Sequence, residues 1–197
     1  MVKRVFDIFV SLFGLVLLFP LLLIISIAIV LDSEGGIFFR QIRVGKDNVD
    51  FKMFKFRTMR TGSDKKGLLT IGDKDNRVTK VGYFLRKYKI DELPQLINIL
   101  KGDMSLVGPR PEVRKYVDLY NAEQMKVLSV RPGLTDYSSL FYINESELLR
   151  KSDNPEQIYI EEIMPAKLEL CKKYIDEKSL QTDIKILFHT LKKILRK

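Results

Sequence analysis

The stretch VFDIFVSLFGLVLLFPLLLIISIAIVL, residues 5–31, carries a single charged side chain, Asp7. As one helix it would reach ~40 Å at ~1.5 Å per residue, enough to cross a bilayer core of ~30 Å. A cleaved signal peptide fits less well, because the run is longer than the usual apolar core and no small-x-small cleavage site follows. Pro20 interrupts it, and proline both removes a helix hydrogen bond and clashes with the preceding turn. The arms on either side would be ~22 Å and ~17 Å long, so neither spans alone. A sharp break returns the chain to the face it entered, whereas a kink lets it cross as a plain anchor. Lys3 and Arg4 precede the run; Arg40, Arg43 and Lys46 follow, beyond Asp32 and Glu34. Positive charge on both flanks suits two cytoplasmic ends. The expectation is therefore a re-entrant helix-break-helix in residues 1–34 and a second unit in residues 35–197.

That second unit is long enough for one domain with its own core. Lys and Arg outnumber Asp and Glu by 34 to 25, a net charge of +9, which favours an anionic partner such as nucleic acid, anionic lipid or a phosphorylated substrate. The lone Cys171 cannot form an internal disulfide, and the lone His189 makes a Ser-His-Asp triad or a histidine-rich zinc site hard to build. The chemistry then falls to carboxylates, Lys, Arg, Tyr or hydroxyls.

Residues 35–59 read as a β-hairpin turning at Gly45-Lys46-Asp47-Asn48. Lys55 and Arg57 alternate with Phe54 and Phe56, so the two cations share a strand face. Residues 60–76 are polar, with the length of a mobile loop or a substrate lid. Thr79 can cap a helix over residues 80–89, with Val81, Phe84, Leu85 and Tyr88 as its buried stripe. A second helix begins near Asp91, with Leu93, Leu96, Ile97 and Leu100 at the same spacing, Pro94 in its first turn and Gly102 at its end. The fold class that results is α+β and mainly helical, with a small β-hairpin and amphipathic surface helices.

Asp91 and Glu92 thus fall at a helix start, where free N–H groups and the dipole favour negative charge. Taken alone, an Asp cap with a first-turn Glu is ordinary punctuation. Around it, however, stand Arg77, Lys80, Arg86, Lys87 and Lys89, and later Arg110, Arg114 and Arg131 in stiff loops, GPRPEVR and VRPGLTD. Proline beside Arg110 and Arg131 fixes backbone direction, and a braced guanidinium fork suits a phosphate. Acids, cations and an apolar segment together point to chemistry on a phosphate at a membrane.

Four stretches carry a resemblance: KRVFDIFVSLFGLVLLFPLLL, FFRQIRVGKDNVDFKMFKFRTM, LRKYKIDELPQLINILKGDMSLVGPRP and VRPGLTD, in order over residues 1–136. They resemble the bacterial sugar transferases, the monotopic phosphoglycosyl transferases. The resemblance implies transfer of a sugar-1-phosphate from a UDP-sugar to polyprenyl (undecaprenyl) phosphate, releasing UMP, at the cytoplasmic face of the bacterial inner membrane. It implies Asp91 as nucleophile through an aspartyl-phosphosugar intermediate, with Glu92 helping to hold Mg²⁺ beside it. Pro109, Arg110 and Pro111 fall on the family's nucleotide- and phosphate-recognition motif, and Lys55, Arg57, Arg86 and Arg131 join them as expected substrate contacts. Membrane lipid is an expected partner and nucleic acid is not. Two departures stand out. Phe19-Pro20 replaces the frequent Ser-Pro, and Leu134-Thr135-Asp136-Tyr137 replaces the frequent Ile-Thr-Gly-Trp, which leaves the sugar open.

The physics is consistent with that reaction. A carboxylate attacking a diphosphate meets like-charge repulsion and needs a cation and fixed donors to neutralise the transferred group. A covalent step also lets a soluble donor and a lipid acceptor use one site in turn. The alternative is a membrane-tethered basic binding module without catalysis, with residues 79–100 as a helix-turn-helix on nucleic acid or on anionic lipid. The tail KSLQTDIKILFHTLKKILRK is a basic amphipathic helix with Ile184, Leu187, Phe188, Leu191 and Leu195 on its apolar side, suited equally to anionic lipid or to the core.

Overall fold

The computed structural model describes residues 1–63, 75–142, 145–150 and 152–196. Most of the expected lid, residues 64–74, lies outside them. Helix α1, Val2–Asp32, opens the chain. Where a helix-break-helix was expected, the helix continues through Pro20 without interruption. The proline removes its own N–H bond, but the hydrogen bonds on either side still close. Both arms are also held by packing. Arg4, Asp7, Ser11, Gly14, Leu18, Leu22, Ile25 and Ile29 recur at steps of three and four and are buried or half-buried. This stripe lies along the rest of the protein. The opposite face, including Phe9, Phe13, Val16, Leu17, Ile24 and Ile27, is exposed. An apolar surface of that extent marks a membrane-associated helix.

Strands β1, Phe38–Val44, and β2, Asp50–Phe56, pair antiparallel around the expected turn. Asp47 and Asn48 take positive φ there. In the register Phe39 faces Lys55, Gln41 faces Met53 and Arg43 faces Phe51, so Lys55, Gln41 and Arg43 share one face.

Helix α2, Lys80–Lys87, is capped as expected by Thr79, whose hydroxyl accepts from the Gly82 N–H. Its buried side differs from the expected stripe. Leu85 and Gly82 are buried and Phe84 is exposed, its ring tilted against that of Tyr88 with centroids 4.8 Å apart. The cause is Gly82: a Cβ there would collide with the Thr58 backbone. The glycine side therefore faces the hairpin and turns Phe84 outward.

Lys89 then adopts left-handed backbone, φ 58°, and Ile90–Glu92 form a single 3₁₀ turn. Helix α3, Gln95–Lys101, starts four residues later than expected and ends at Gly102, φ 96°. Its inner side is Gln95, Leu96, Asn98 and Ile99, while Leu93, Ile97 and Leu100 are half-buried. Hydrogen bonding decides this over hydrophobic spacing. The Asn98 carboxamide accepts from Phe54 N–H at 2.9 Å and donates to Lys52 O at 2.8 Å, fastening α3 to β2.

Strands β3, Ser105–Val107, and β4, Gly133–Thr135, form a short parallel pair. Between them lies α4, Arg114–Val117. Helices α5, Tyr137–Phe141, α6, Glu145–Arg150, and α7, Pro155–Ile158, come next. After a π-helical stretch, Tyr159–Ile163, α8, Met164–Glu177, and α9, Leu180–Leu195, close the fold. Asp183 and Ile186 of α9 are buried, whereas Ile184, Phe188, Leu191 and Leu195 are exposed. Of the apolar face expected from spacing, Leu187 packs on the core while the other four residues stay outside, and α9 docks mainly through its other side. One core gathers Leu96, Ile99, Met104, Leu106, Tyr174 and Ile186, with Phe6, Val10 and Leu15 of α1 packed onto it. A second joins Ile25 and Ile29 of α1 to Phe56 and Leu85.

Candidate active site

The 3₁₀ turn before α3 delivers Asp91 and Glu92 into the interior, both buried. The expected Asp cap is not what forms: Lys89 caps the 3₁₀ turn and Pro94 caps α3, so Asp91 lies inside the turn. Asp91 Oδ1 is buried and has no hydrogen-bond partner among the described residues. An unpaired buried carboxylate oxygen is costly, about 1–3 kcal/mol or more, so its retention calls for a functional reason. Burial pushes the Asp91 carboxyl above its ordinary 3.8; Lys55 opposes that shift and Glu92 adds to it.

Glu92 is the opposite case. Lys55 Nζ donates to Oε1 at 2.9 Å, and Arg110 donates to Oε1 at 2.6 Å and to Oε2 at 3.4 Å. Burial works against its ionisation, but Arg110 and then Lys55 outweigh it and hold the carboxyl well below its ordinary value. Glu92 in turn pushes the Arg110 guanidinium upward. Lys55, facing the same carboxylate, is nevertheless lowered, mainly by burial. Glu92 thus carries two cations, Arg110 and Lys55. Two neighbouring acids therefore have distinct environments: Glu92 a fixed, paired anion, and Asp91 a buried carboxyl with one unpartnered oxygen.

Arg110 is held in place by its loop. Gly108 N–H donates to Thr135 O and Gly133 N–H to Pro109 O, each at 3.0 Å. The two glycines cross so closely that a Cβ on Gly133 would strike the Gly108 backbone, and one on Gly108 would strike Arg131 O. Arg110 N–H points to Asp136 Oδ2 at 3.4 Å. Asp136 is fully buried, caps α5 through Ser139 N–H, and accepts from the Ser138 and Ser139 hydroxyls. On the other side Glu112 accepts from Arg43 at 3.1 Å and from the Tyr159 hydroxyl. Arg43 also donates to Pro111 O at 3.1 Å and Gln41 Oε1 at 2.7 Å.

The whole chain, residues 1–197, matches the family model for bacterial sugar transferases. The chain belongs to the bacterial sugar transferase family. It is 39% identical, over 98% of its length, to a UDP-N-acetylgalactosamine-undecaprenyl-phosphate N-acetylgalactosaminephosphotransferase of Aeromonas hydrophila, spanning 44% of that protein. It is 37% identical over 97% of its length to the UDP-glucose:undecaprenyl-phosphate glucose-1-phosphate transferase of Escherichia coli K12, of which it spans 39%. An uncharacterized sugar transferase of Bacillus subtilis, EpsL, is 37% identical over 98% of the chain and 87% of its own length. The chain thus covers less than half of the first two relatives.

In this member of the family, Asp91-Glu92 and Pro109-Arg110-Pro111 meet through the Glu92–Arg110 contact, with Lys55 also on Glu92. Arg86 is close enough to bear on the Asp91 carboxyl. Two other expected contacts do different work. Arg57 is buried and donates to Ile29 O, to Ser33 O at 2.7 Å and to Glu34 O, so it caps the end of α1. Arg131 donates through Nε to Gly102 O at 2.8 Å and tethers the end of α3. Asp136, one of the unusual residues after Arg131, is a buried brace rather than a surface for a sugar. Arg43, Glu112 and Tyr159 were missed by the sequence reading. Arg43 could have been found by extending the β1 face two residues at a time, whereas Tyr159 sits in a charged tail with no local signal.

Proposed function

We propose that this chain transfers a sugar-1-phosphate from a UDP-sugar to undecaprenyl phosphate, releasing UMP. The observation that carries this reading is the contrast inside the acidic pair: Asp91 with an unpartnered oxygen, next to a Glu92 locked by Lys55 and Arg110. In the first half-reaction an Asp91 oxygen bonds to the sugar-bearing phosphorus, and the bond from that phosphorus to the bridging oxygen breaks. UMP leaves with the electron pair. In the second, an oxygen of the lipid phosphate attacks the same phosphorus and releases Asp91 as carboxylate. Lys55 and the braced Arg110, both held on Glu92, give fixed positive charge where the diphosphate charge must be neutralised. The relatives' names pair undecaprenyl phosphate with either N-acetylgalactosamine or glucose, and this chain's sugar is left to assay.

Mg²⁺ fits this site through Asp91 more than through Glu92. The described residues hold no cluster of three or more ligating side chains. Mg²⁺ commonly needs only one or two carboxylates, with substrate phosphates and water completing its shell. Asp91 has an oxygen to offer, while both Glu92 oxygens are engaged by cations. When bound, the ion would supply charge neutralisation at the diphosphate. Purified enzyme given a panel of UDP-sugars and undecaprenyl phosphate should release UMP from at least one, and excess EDTA should silence it. No UMP from any sugar would refute the reaction, and full activity in EDTA would refute the metal.

The helix-turn-helix alternative loses its support, since Asp91, Glu92, Gln95 and Asn98 are buried and leave the start of α3 no groove-reading face.

The reading also includes both ends of α1 lying on the cytoplasmic face. Lys3 reaches Asp183 and Ser33 O reaches Arg57, and both partners belong to the same charged domain. A crossing helix would have to place these contacts on opposite sides of a ~30 Å core. In a Cys171-free background, single cysteines at Val2 and Ser33 should both label from the cytoplasm. Periplasmic labelling at Val2 would overturn this topology and leave the reaction untouched.

A further inference from the structure

The first two turns of α1 carry three charged side chains, and each grips an element that presents a charged group to the active site. Arg4 donates to Ile99 O at 2.6 Å and Leu100 O at 3.1 Å, the last turn of α3. The opposite end of α3 begins three residues after Glu92. Asp7 is buried; it accepts from Ser105 Oγ at 2.8 Å and from Leu106 N–H at 3.2 Å, along β3. Lys3, one turn before it, donates to Val107 O at 3.1 Å and to the Asp183 carboxylate of α9. The Tyr174 hydroxyl lies 3.0 Å from Val107 O and 2.7 Å from Asp183 Oδ1. Val107 O is the last carbonyl before Gly108-Pro109-Arg110-Pro111. One end of a lipid-facing helix therefore fixes both α3, which follows Glu92, and β3, which leads into the Arg110 loop.

We propose that the polar head of α1, Lys3 with Arg4 and Asp7, is a positioning device that sets Arg110 against Glu92, with Asp183 and Tyr174 completing it at Val107 O. The inference rests on the phosphoglycosyl transfer reading for its effect on turnover, though not for its structural part. The geometry explains why a membrane helix would carry three charges into contact with the domain, Asp7 buried and Lys3 and Arg4 half-buried, where apolar contact would suffice to dock it. Hydrogen bonds to a strand carbonyl and amide fix register in a way that packing does not. A shift of the α1 head relative to the body would pass first into Val107 and then into the arginine loop. The chemistry would be sensitive to such a shift, because misplacements of about 1 Å far from the reacting atoms cost up to ~100-fold in rate.

The test uses the full chain in nanodiscs and the double variant Lys3→Met/Asp183→Asn. Removing both charges leaves no lone buried ion, so thermal stability should stay near wild type. A purely structural role then predicts wild-type behaviour throughout. Positioning predicts instead that backbone exchange at Gly108 and Arg110 becomes faster while exchange in β1 and β2 is unchanged. It also predicts that kcat/KM for the UDP-sugar falls ~10–100-fold, with Lys3→Arg restoring both. Should the double variant fail to fold, Tyr174→Phe removes a single hydroxyl from Val107 O and must give the same exchange pattern. Unchanged exchange at Gly108 and Arg110 in the folded variant overturns the proposal whether or not the wild type turns over. A wild type that releases no UMP counts against the reaction alone.

Discussion

Asp91→Asn should abolish turnover and at the same time make the protein more stable. Loss of activity follows from losing the attacking oxygen's charge. The gain in stability follows from burial. The folded state holds the Asp91 proton more tightly than the unfolded chain does, since burial raises its pKa above 3.8. Between 3.8 and the raised value the native state binds more protons, so stability falls as pH rises through that window, and the full penalty is present above the raised value. Asparagine removes it. A gain of about 1 kcal/mol would raise the melting temperature by ~2–4 °C in a chain of this size. The gain should shrink as pH is lowered toward 3.8. Scanning calorimetry in detergent across pH, alongside UMP release, checks both halves. An inactive variant that is also less stable at neutral pH would show that Asp91 is a structural anion, and normal turnover would end its covalent role.

Glu92→Gln should lose activity as well, with stability moving the other way. Its folded pKa is depressed below the ordinary 4.5 by Arg110 and Lys55. The unfolded chain then binds more protons across that window, so stability rises with pH and is fully present above 4.5. It is lost as pH falls through the depressed value. The glutamine leaves Arg110 and Lys55 without their counter-charge in a buried site, a loss of about 3–5 kcal/mol for one broken member of such a set. Arg110, no longer tethered, should also bind the nucleotide sugar less well, raising KM along with lowering kcat. Equal melting temperatures for Glu92→Gln and wild type at pH 7 would mean that the ion pairs contribute nothing net. The two substitutions exchange a carboxylate for its amide at adjacent positions, so opposite signs would separate a site of chemistry from a site of architecture.

Much of this layout was legible before any coordinates. The β-hairpin came from alternation of aromatic and branched residues around a polar turn, a signal local enough to survive folding. The acidic pair and the proline-braced arginine came from motif order, and the Glu92–Arg110 contact brings them together. What was illegible depends on contacts far apart in sequence. Lys55 and Arg57 were expected on one strand face, yet β2 ends at Phe56, and Lys55 meets Glu92 while Arg57, just past the strand, reaches the carbonyls ending α1. Periodicity places a side chain on a face, and the neighbour packed at that height decides its job. The α3 stripe was misread for a related reason: Asn98 turned inward because two β2 backbone groups needed a partner. Phe84 turned outward because Gly82 alone tolerates the approach of Thr58.

The contact between Lys3 and Asp183 closes a loop of 180 residues. On the ribosome those residues are made at ~5–20 per second, so roughly ten to forty seconds separate the two partners. The apolar helix is available to the bilayer during that whole interval, and the strand leading to the arginine loop exists for the latter part of it. Until α9 emerges, however, Lys3 has no carboxylate to meet and Val107 O lacks its full set of donors. A nascent chain would thus be lodged at the membrane well before its charged residues are brought to register, and α9 would complete contacts that α1 had to wait for.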